Sequence, residues 1–120
     1  MPPTLPSNLR LFAPAFGAAL GARVAEVLGI RLGSIEERDF DGGEQKMRPL
    51  EDVGGCDVFV VASLDGDATL SANDKLCRLL FFIGALKDAG AARVTACVPY
   101  LCYARKDRRT NPGDPITTRY

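Results

Sequence analysis

The sequence predicts an α/β fold with a mostly parallel sheet flanked by helices. Strand-like and helix-like segments alternate along most of the 120 residues, which is typical of this class. The near-continuous Val and Phe run at Asp57–Ser63 indicates a strand buried on both faces, as parallel strands usually are. A long amphipathic pattern from about Ser71 to Ala89 separates this run from a second apolar strand at Arg93–Val98.

The first part of the chain predicts one strand and one helix. Asn8–Ala13 alternates polar and apolar residues, and Pro14 suits the first turn of a helix, where its missing N–H has no partner to lose. Gly29 is the predicted stop. Gly17 and Gly21 indicate close packing of this helix on the sheet. The apolar stripe recurs every four residues and consists of Phe16, Leu20, Val24 and Leu28.

Two short polar segments predict a hairpin that projects from the sheet. Ile30–Phe40 and Glu44–Pro49 are too polar for central strands, and they flank Asp41-Gly42-Gly43. That sequence is a strong turn signal because glycine tolerates positive φ. We call residues 30–49 the flap and residues 40–44 the flap tip, and we expect the flap to be exposed.

The second helix has clear boundary signals. Ser71 followed three residues later by Asp74 predicts a capping box, and Gly90 predicts the stop. Beyond the last strand, Asp114 followed by Pro115 predicts the N-cap and first residue of a further helix. The buried stripe of the second helix is predicted to be Leu76, Leu79, Leu80, Ile83 and Leu86.

The loop after Arg93–Val98 concentrates cations and aromatic side chains. In open parallel sheets, ligands bind beyond the carboxyl ends of the strands, and this loop lies there. Arginine binds phosphate oxygens bidentately and stacks on flat aromatic faces. Residues 99–113, the basic loop, therefore suit a nucleotide or a sugar phosphate, although a solvated basic turn is an alternative. Its chemistry-bearing residues are Tyr100, Tyr103, Arg105, Lys106, Arg108 and Arg109.

Composition narrows the classes of function. The chain is 47% apolar and 25% charged, as expected for one soluble globular domain. Its formal net charge is zero, so no global field favours nucleic acid or an anionic membrane. No apolar run approaches the ~20 residues of a membrane span, and no targeting signal is evident, so we expect a cytoplasmic protein. Acidic residues concentrate at residues 34–57 and basic ones at residues 105–109, which fits self-association, a mixed-charge ligand or two solvated patches.

Several kinds of catalytic or metal site are excluded by residue type. The chain has no histidine, so neither a Ser/His nor a Cys/His nucleophile can form within it. The phosphate motifs G-x-x-x-x-G-K-S/T and G-x-G-x-x-G are absent. Asp65 and Asp67, in the loop at residues 64–69, leave two interpretations open: a hydrated divalent ion, or a capped surface loop, which we favour. No C-x-x-C pair occurs, and we expect reduced, structural thiols at Cys56, Cys77, Cys97 and Cys102.

Three motifs together resemble the N-terminal part of the ribose-phosphate diphosphokinase family. They are FDGGE at residues 40–44, Asn73-Asp74-Lys75-Leu76 at the start of the long helix, and PYLCYARKDRR followed by DPITTRY. Members of that family make phosphoribosyl diphosphate and AMP from ATP and ribose 5-phosphate, with two related phosphoribosyltransferase-like α/β domains. The resemblance implies that residues 1–120 form the first of these domains, incomplete, and that the second domain is absent from this chain.

The resemblance also implies an ATP site in two halves. The family's flap motif is Phe-x-Asp-Gly-Glu, and here Phe40, Gly43 and Glu44 match while Gly42 replaces the aspartate. Phe40 would stack on adenine, and Glu44 with the backbone around Gly42 and Gly43 would read the adenine edge. In this family the flap comes from a neighbouring subunit, so a homo-oligomer is expected.

The second half of the implied site lies in the basic loop. The family motif Tyr-Ala-Arg-Gln-Asp-Arg falls on residues 103–108, where Lys106 replaces the glutamine. Arg105 would sandwich adenine together with Phe40, and Lys106 and Arg108 would lie toward the phosphates.

The resemblance further implies what this segment lacks. The family's metal-binding histidine, flexible catalytic loop and ribose-phosphate loop all follow the part present here. We therefore expect no catalytic and no metal-binding residue in residues 1–120, with Mg²⁺ entering as Mg-ATP and ribose 5-phosphate bound through the missing domain. The chain alone is predicted to be inactive as a diphosphokinase. The alternative is a non-catalytic relative that acts as a binding or regulatory module, as Gly42 and Lys106 would allow. An ordinary phosphoribosyltransferase gains no support, since its acidic diphosphate loop is missing.

Overall fold

A computed structural model describes residues 4–120 and places their strands in two separate sheets. The main sheet is parallel, with strand order β1-β4-β5. The flap forms the second sheet, an antiparallel hairpin of β2 and β3. The strands are β1 (Leu9–Phe12), β2 (Ile35–Asp39), β3 (Gln45–Pro49), β4 (Asp57–Val61) and β5 (Arg93–Cys97). The predicted α/β class, with a parallel sheet and a short flap, is confirmed.

Two α-helices connect the parallel strands. Helix α1 spans Ala18–Leu28 after a 3-10 turn at Ala15–Gly17, and α2 spans Ala72–Asp88. The predicted capping box of α2 is confirmed, because the Asp74 backbone N–H donates to Ser71 Oγ while the Ser71 N–H donates to Asp74 Oδ2, each at 3.0 Å. Neither helix of residues 4–120 has the length and apolarity that a bilayer span requires.

The core is built on β4, as its Val and Phe content predicts. The β4 side chains of Val58, Val60 and Val61 are almost fully buried between β1, β5 and the helices. On one face, Phe12 of β1 meets Phe82 of α2 edge to face, with ring centroids 5.6 Å apart. This contact stabilises the packing of α2 on the sheet, because an edge-to-face aromatic pair contributes stability beyond that of burying the two rings.

Helix α1 packs on its small residues, so the predicted apolar stripe is only partly right. Leu20 and Leu28 are exposed, whereas Gly21 and Ala25 are buried. The predicted close packing at glycine is confirmed: a Cβ on Gly21 would lie 2.3 Å from Ala13 Cβ. The helix approaches the sheet through these small side chains, so the larger Leu20 and Leu28 lie at the sides of the contact and stay exposed.

Helix α2 is rotated slightly from the predicted orientation. Leu79 and Leu86 are buried as predicted, but Leu80 is exposed. Phe82 and Lys75 are buried instead, so the buried face follows the spacing 75, 79, 82 and 86. The thiol of Cys77 is exposed, so its predicted structural role is wrong, although all four cysteines are free, as predicted.

Two other segments differ from the sequence prediction. Strand β5 is half-buried rather than buried, because within residues 4–120 it pairs on one edge only, with β4. The further helix predicted at Asp114 is wrong: the segment holds only a 3-10 turn at Thr117–Arg119. The Asp114 carboxylate accepts a hydrogen bond from the Asn111 N–H at 2.9 Å, so it caps the preceding turn instead of a following helix.

The close approach of α1 gives a matched pair of substitutions. Gly21→Ala places a methyl group against Ala13, and we expect it to lower the free energy of unfolding by about 1–3 kcal/mol through overpacking. Gly84→Ala is the control, because a Cβ at this position of α2 meets no atom within 4 Å. It should raise stability by roughly 0.5–1 kcal/mol through helix propensity. Urea unfolding of both variants tests this, and shifts of the same sign would contradict the packing described.

Candidate functional site

Two loops meet at the carboxyl edge of the parallel sheet. The loop at residues 64–69 follows β4, and the basic loop follows β5. They are joined by a backbone hydrogen bond in which the Leu64 N–H donates to the Tyr100 carbonyl oxygen at 3.0 Å. The predicted location of the basic loop, beyond the ends of adjacent parallel strands, is where open α/β sheets bind ligands.

The basic loop is anchored to the body of the protein at two residues. Cys102 is buried in the main core cluster. Tyr103 has φ +65°, and within residues 4–120 it is the single non-glycine residue with positive φ. Its hydroxyl hydrogen-bonds to the Asn73 Oδ1 in the first turn of α2. A bulky residue in the left-handed region of backbone conformation is strained. Such strain persists only where surrounding contacts hold it, as the contacts of Cys102 and Tyr103 do here.

The cations of the basic loop fall into two groups. Arg105 and Arg108 are exposed; the Arg105 Nη2 donates to the Tyr100 hydroxyl at 3.4 Å, and this contact raises the pKa of the guanidinium. Lys106 is half-buried and pairs with Asp114 at 3.3 Å. Arg109 donates from Nε to the Asp114 carbonyl oxygen at 2.9 Å. Arg108 Nε also lies 3.5 Å from Asp107 Oδ1, but both of these side chains are largely exposed. Arg105 and Arg108 thus face solvent, while Lys106 and Arg109 bind the turn beside them.

The flap tip is a compact exposed turn. The Phe40 N–H donates to the Glu44 carbonyl oxygen at 2.8 Å, and Gly42 and Gly43 have φ +84° and +86°. The turn predicted from the glycines is therefore confirmed. The Phe40 ring is 44% exposed, and the Arg38 guanidinium carbon lies 5.5 Å from its centroid. One face of this ring is covered by a cation, and the side chain retains substantial open surface.

The two predicted half-sites are not joined within one chain. Among the described residues, no hydrogen bond or ion pair connects the flap tip with residues 105–108. The flap packs instead on α2, where Met47 is buried, and the Glu37 carboxylate accepts a hydrogen bond from the Ala15 N–H at 2.9 Å. Phe40, Gly42, Gly43 and Glu44 thus form one exposed group, and Arg105, Lys106 and Arg108 form another.

The burial of Lys75 beside the carboxyl edge of the parallel sheet, which we call the ligand edge, was not predicted from the sequence. This lysine is 3% exposed, its Nζ donates to the Asp65 carbonyl oxygen at 2.6 Å and to Asp67 Oδ2 at 2.8 Å, and it lies 5.8 Å from the Phe16 ring centroid. The hydrogen bond from Lys75, together with backbone N–H groups of the loop, lowers the pKa of Asp67 to about 2. The sequence did contain a signal for this burial, because Lys75 precedes the predicted buried Leu79 by four residues and therefore lies on the same face of α2.

The aspartates of the 64–69 loop are used within the loop itself. Asp67 also accepts hydrogen bonds from the Thr69 and Leu70 N–H groups, and Ser63 Oγ donates to Asp65 at 2.9 Å. These contacts support the capped-loop interpretation. In the part of the chain that the structure describes, no three His, Cys, Asp or Glu side chains converge in a way that would hold a metal ion.

Comparison with known proteins matches this arrangement to one family. Residues 9–120 match the family model described as the N-terminal domain of ribose phosphate pyrophosphokinase. This chain belongs to the ribose-phosphate pyrophosphokinase family. The resemblance drawn from the three sequence motifs is therefore confirmed.

Individual members of the family support the assignment. The chain is 39% identical over 112 residues to a ribose-phosphate pyrophosphokinase of Clostridium tetani and 37% identical over 113 residues to one of Fusobacterium nucleatum. These matches cover 93% and 94% of this chain but only 34% of each relative. The chain thus spans about a third of the length of these curated pyrophosphokinases.

Solved structures agree with the fold. The crystal structure of phosphoribosylpyrophosphate synthetase from Mycobacterium smegmatis superposes with a TM-score of 0.85 at 39% identity, covering 94% of this chain and 37% of that one. A purine phosphoribosyltransferase from Pyrococcus horikoshii superposes with a TM-score of 0.52 at 16% identity, covering 79% and 64%. The second likeness concerns the fold alone, and it confirms the phosphoribosyltransferase-like α/β class.

The ion pair between the buried Lys75 and the partly exposed Asp67 predicts a specific pH dependence. The pKa of Asp67 is lower in the folded chain, about 2, than its ordinary 3.8, so its contribution to stability is present above pH ~4 and is lost as pH falls toward 2. Lys75→Met should flatten this part of the stability curve, because the chief cause of the lowered pKa is removed. Lys87→Met, at the exposed end of α2, is the control. Urea unfolding at several pH values between 5 and 2 provides the measurement, and identical slopes for the two variants would refute the role of the pair.

Proposed function

We propose that this chain is the ATP-binding part of a ribose-phosphate pyrophosphokinase. The whole enzyme would transfer diphosphate from Mg-ATP to ribose 5-phosphate, giving phosphoribosyl diphosphate and AMP. Membership of the family supports this, and the single observation that carries the ATP site is the exposed pair Arg105 and Arg108 beyond the carboxyl end of β5. Guanidinium groups suit both the flat base and the phosphate oxygens of a nucleotide.

The proposed site divides its tasks between the two loops. Arg105 stacks on one face of adenine while Phe40 covers the other, and Glu44 with the backbone at Gly42 and Gly43 hydrogen-bonds the edge of the base. Arg108 attracts the phosphates. Lys106 reaches them only by leaving Asp114, with which it pairs at 3.3 Å. Its contribution to phosphate binding is therefore smaller than that of an unpaired cation.

The flap tip is proposed to act in a neighbouring copy of the chain. Two observations support this: the tip is exposed, and it has no polar contact with residues 105–108 in its own chain, among the described residues. Acidic residues concentrate around the flap and basic ones in the basic loop, so two copies attract each other where these surfaces meet. The resulting homo-oligomer completes each ATP site with a flap from another protomer.

The departure at Gly42 changes the site without removing the turn. Gly42 has φ +84°, a value at which glycine is unstrained, and the neighbouring Asp41 offers an exposed carboxylate. The missing carboxylate at position 42 could remove a hydrogen bond to the adenine or the ribose, at a net cost of roughly 0.5–3 kcal/mol.

Magnesium is proposed to enter with the nucleotide. The described residues do not fit a resident metal ion, since Asp65 and Asp67 are engaged by Ser63 and Lys75 and no other ligand joins them. The remaining catalytic groups and the ribose 5-phosphate site would belong to the part of the enzyme that this chain does not span. We therefore propose that residues 1–120 alone, a domain of a cytoplasmic transferase, bind nucleotide without turning it over.

A second candidate is a non-catalytic relative that binds or regulates an active enzyme. The observation that favours it is the internal pairing of Lys106 with Asp114, because this cation is directed at its own chain. Together with Gly42, it leaves fewer groups for the nucleotide. Absence of Mg-ATP binding in an otherwise folded chain would favour this candidate over the first.

Substitution of Arg105 tests the ATP site. Arg105→Ala should weaken Mg-ATP binding by roughly fivefold to thirtyfold, because a stacking contact of about 1–2 kcal/mol between the guanidinium and adenine is lost. The control is Arg23→Ala, an exposed arginine on α1 far along the chain from the basic loop, and it should leave affinity unchanged. Titration calorimetry measures both. Equal affinities for the Arg105 variant and the wild type would refute the site, and absence of heat with the wild type would refute nucleotide binding.

Mixing two defective variants tests whether the flap acts in a neighbouring copy. Phe40→Ala and Arg105→Ala should each bind Mg-ATP poorly, yet an equimolar mixture should regain binding. In a mixed oligomer, an intact Arg105 of one protomer meets an intact Phe40 of another, so some sites have the wild-type composition. The measurement is the number of high-affinity sites after the variants are co-refolded. No recovery in a mixture whose mixed oligomers are verified by native mass spectrometry would place both residues in one chain.

A further inference from the structure

The flap is held on its own chain by one arginine of α2. The Arg78 Nη2 donates to Asp39 Oδ1 at 2.7 Å. Asp39 is the last residue of β2 and immediately precedes Phe40, so the ion pair lies at the base of the flap tip. The Arg78 side chain is 14% exposed and that of Asp39 is 72% exposed. The arginine is thus fixed by packing, and it offers a fixed partner to the exposed aspartate.

Arg78 lies between two clefts that flank the flap. One cleft, of about 430 Å³, separates the flap tip from α2. The other, of about 220 Å³, separates β2 from the 3-10 turn at Ala15–Gly17 and from the end of the 64–69 loop. Arg78 lines both, and in the described part of the chain it is the one cationic side chain that lines either. The carboxylates that line them are Glu37, Asp39, Glu44 and Asp74.

The other carboxylates of these clefts are either exposed or already satisfied. Glu37 accepts from the Ala15 N–H, and Asp74 belongs to the capping box of α2. Asp39 is bonded through its side chain to Arg78. Removal of the guanidinium would delete the single ion pair that joins Asp39 to α2 among the described residues, and the base of the flap tip would then be held less firmly against the helix.

On the other side of the flap tip, β3 packs on α2 through Met47 but forms no ion pair with that helix among the described residues. Gln45, the first residue of β3, has both its amide Nε2 and Oε1 buried without a hydrogen-bond partner. The tip itself is closed by the Phe40–Glu44 backbone hydrogen bond, so its five residues form one turn. Among the described residues, the Arg78–Asp39 contact is the one side-chain hydrogen bond between the residues that flank this turn and α2.

We propose that Arg78 is a positioning residue for the flap tip. It holds Asp39 and so directs Phe40 and Glu44 toward the nucleotide bound by another protomer. The inference rests on the proposed function, and it adds to it a residue of α2 that does not itself contact the nucleotide.

A double-mutant cycle tests the proposal. The variants are Arg78→Gln, Asp39→Asn and the two combined, with Arg78→Lys as the conservative variant and Arg23→Gln as the control. Hydrogen exchange of residues 40–45 is measured without nucleotide, and Mg-ATP affinity is measured by calorimetry. Each single variant should exchange faster and bind more weakly by about twofold to fivefold, as expected for a partly exposed ion pair. The double variant should be no worse than either single one.

Arg78→Lys should recover part of both effects, and Arg23→Gln should cause neither. The thermal unfolding midpoint should remain near that of the wild type, which separates positioning from a loss of fold. Unchanged exchange, additive effects in the double variant, or faster exchange with unchanged affinity would each overturn the inference. A wild-type chain that binds no Mg-ATP would overturn the proposed function as well, and this result is distinct from a wild type that binds and an Arg78 variant that binds equally.

Discussion

Burial of β4 on both faces is the constraint on which the rest of the structure depends. Val58, Val60 and Val61 need neighbours on both edges and both faces, because each contributes to stability only when it leaves water. The strands β1 and β5 supply the edges in parallel orientation. Parallel pairing requires crossover connections, and these run through α1 and α2. The carboxyl ends of β4 and β5 then lie side by side, and so do the two loops that follow them.

The ligand edge is supported from beneath by charged and polar contacts. Lys75 of α2 hydrogen-bonds to the loop after β4. Tyr103 hydrogen-bonds from the basic loop to Asn73 in the first turn of the same helix. Helix α2 therefore serves both loops. The guanidinium groups of Arg105 and Arg108 are exposed, and among the described residues their polar contacts are with Tyr100 and Asp107 alone, so their role as ligand contacts stays a proposal that the arrangement suits.

The flap is a different kind of structure from the sheet it adjoins. Its strands pair only with each other, and it is attached to α2 by the buried Met47 and by the Arg78–Asp39 ion pair. An element with one buried side chain and exposed polar surfaces has little local stability of its own. Its position relative to the rest of its own chain therefore depends on few contacts, which is compatible with the proposed role in a neighbouring copy.

The sequence by itself determined the class of fold, the two helices, the flap turn and the family. These follow from local signals: alternation of elements, a Ser71–Asp74 cap, glycines at positive φ and motifs that can be read residue by residue. It also identified Arg105 and Phe40 as candidates, whose roles remain proposals. Only the tertiary structure decided which helix faces are buried, since Gly21 in place of Leu20, and Phe82 in place of Leu80, depend on how closely each helix approaches the sheet. The use of Asp114 as a turn cap, the burial of Lys75 and the Arg78–Asp39 contact were likewise decided there, because each joins residues whose pairing no local pattern specifies.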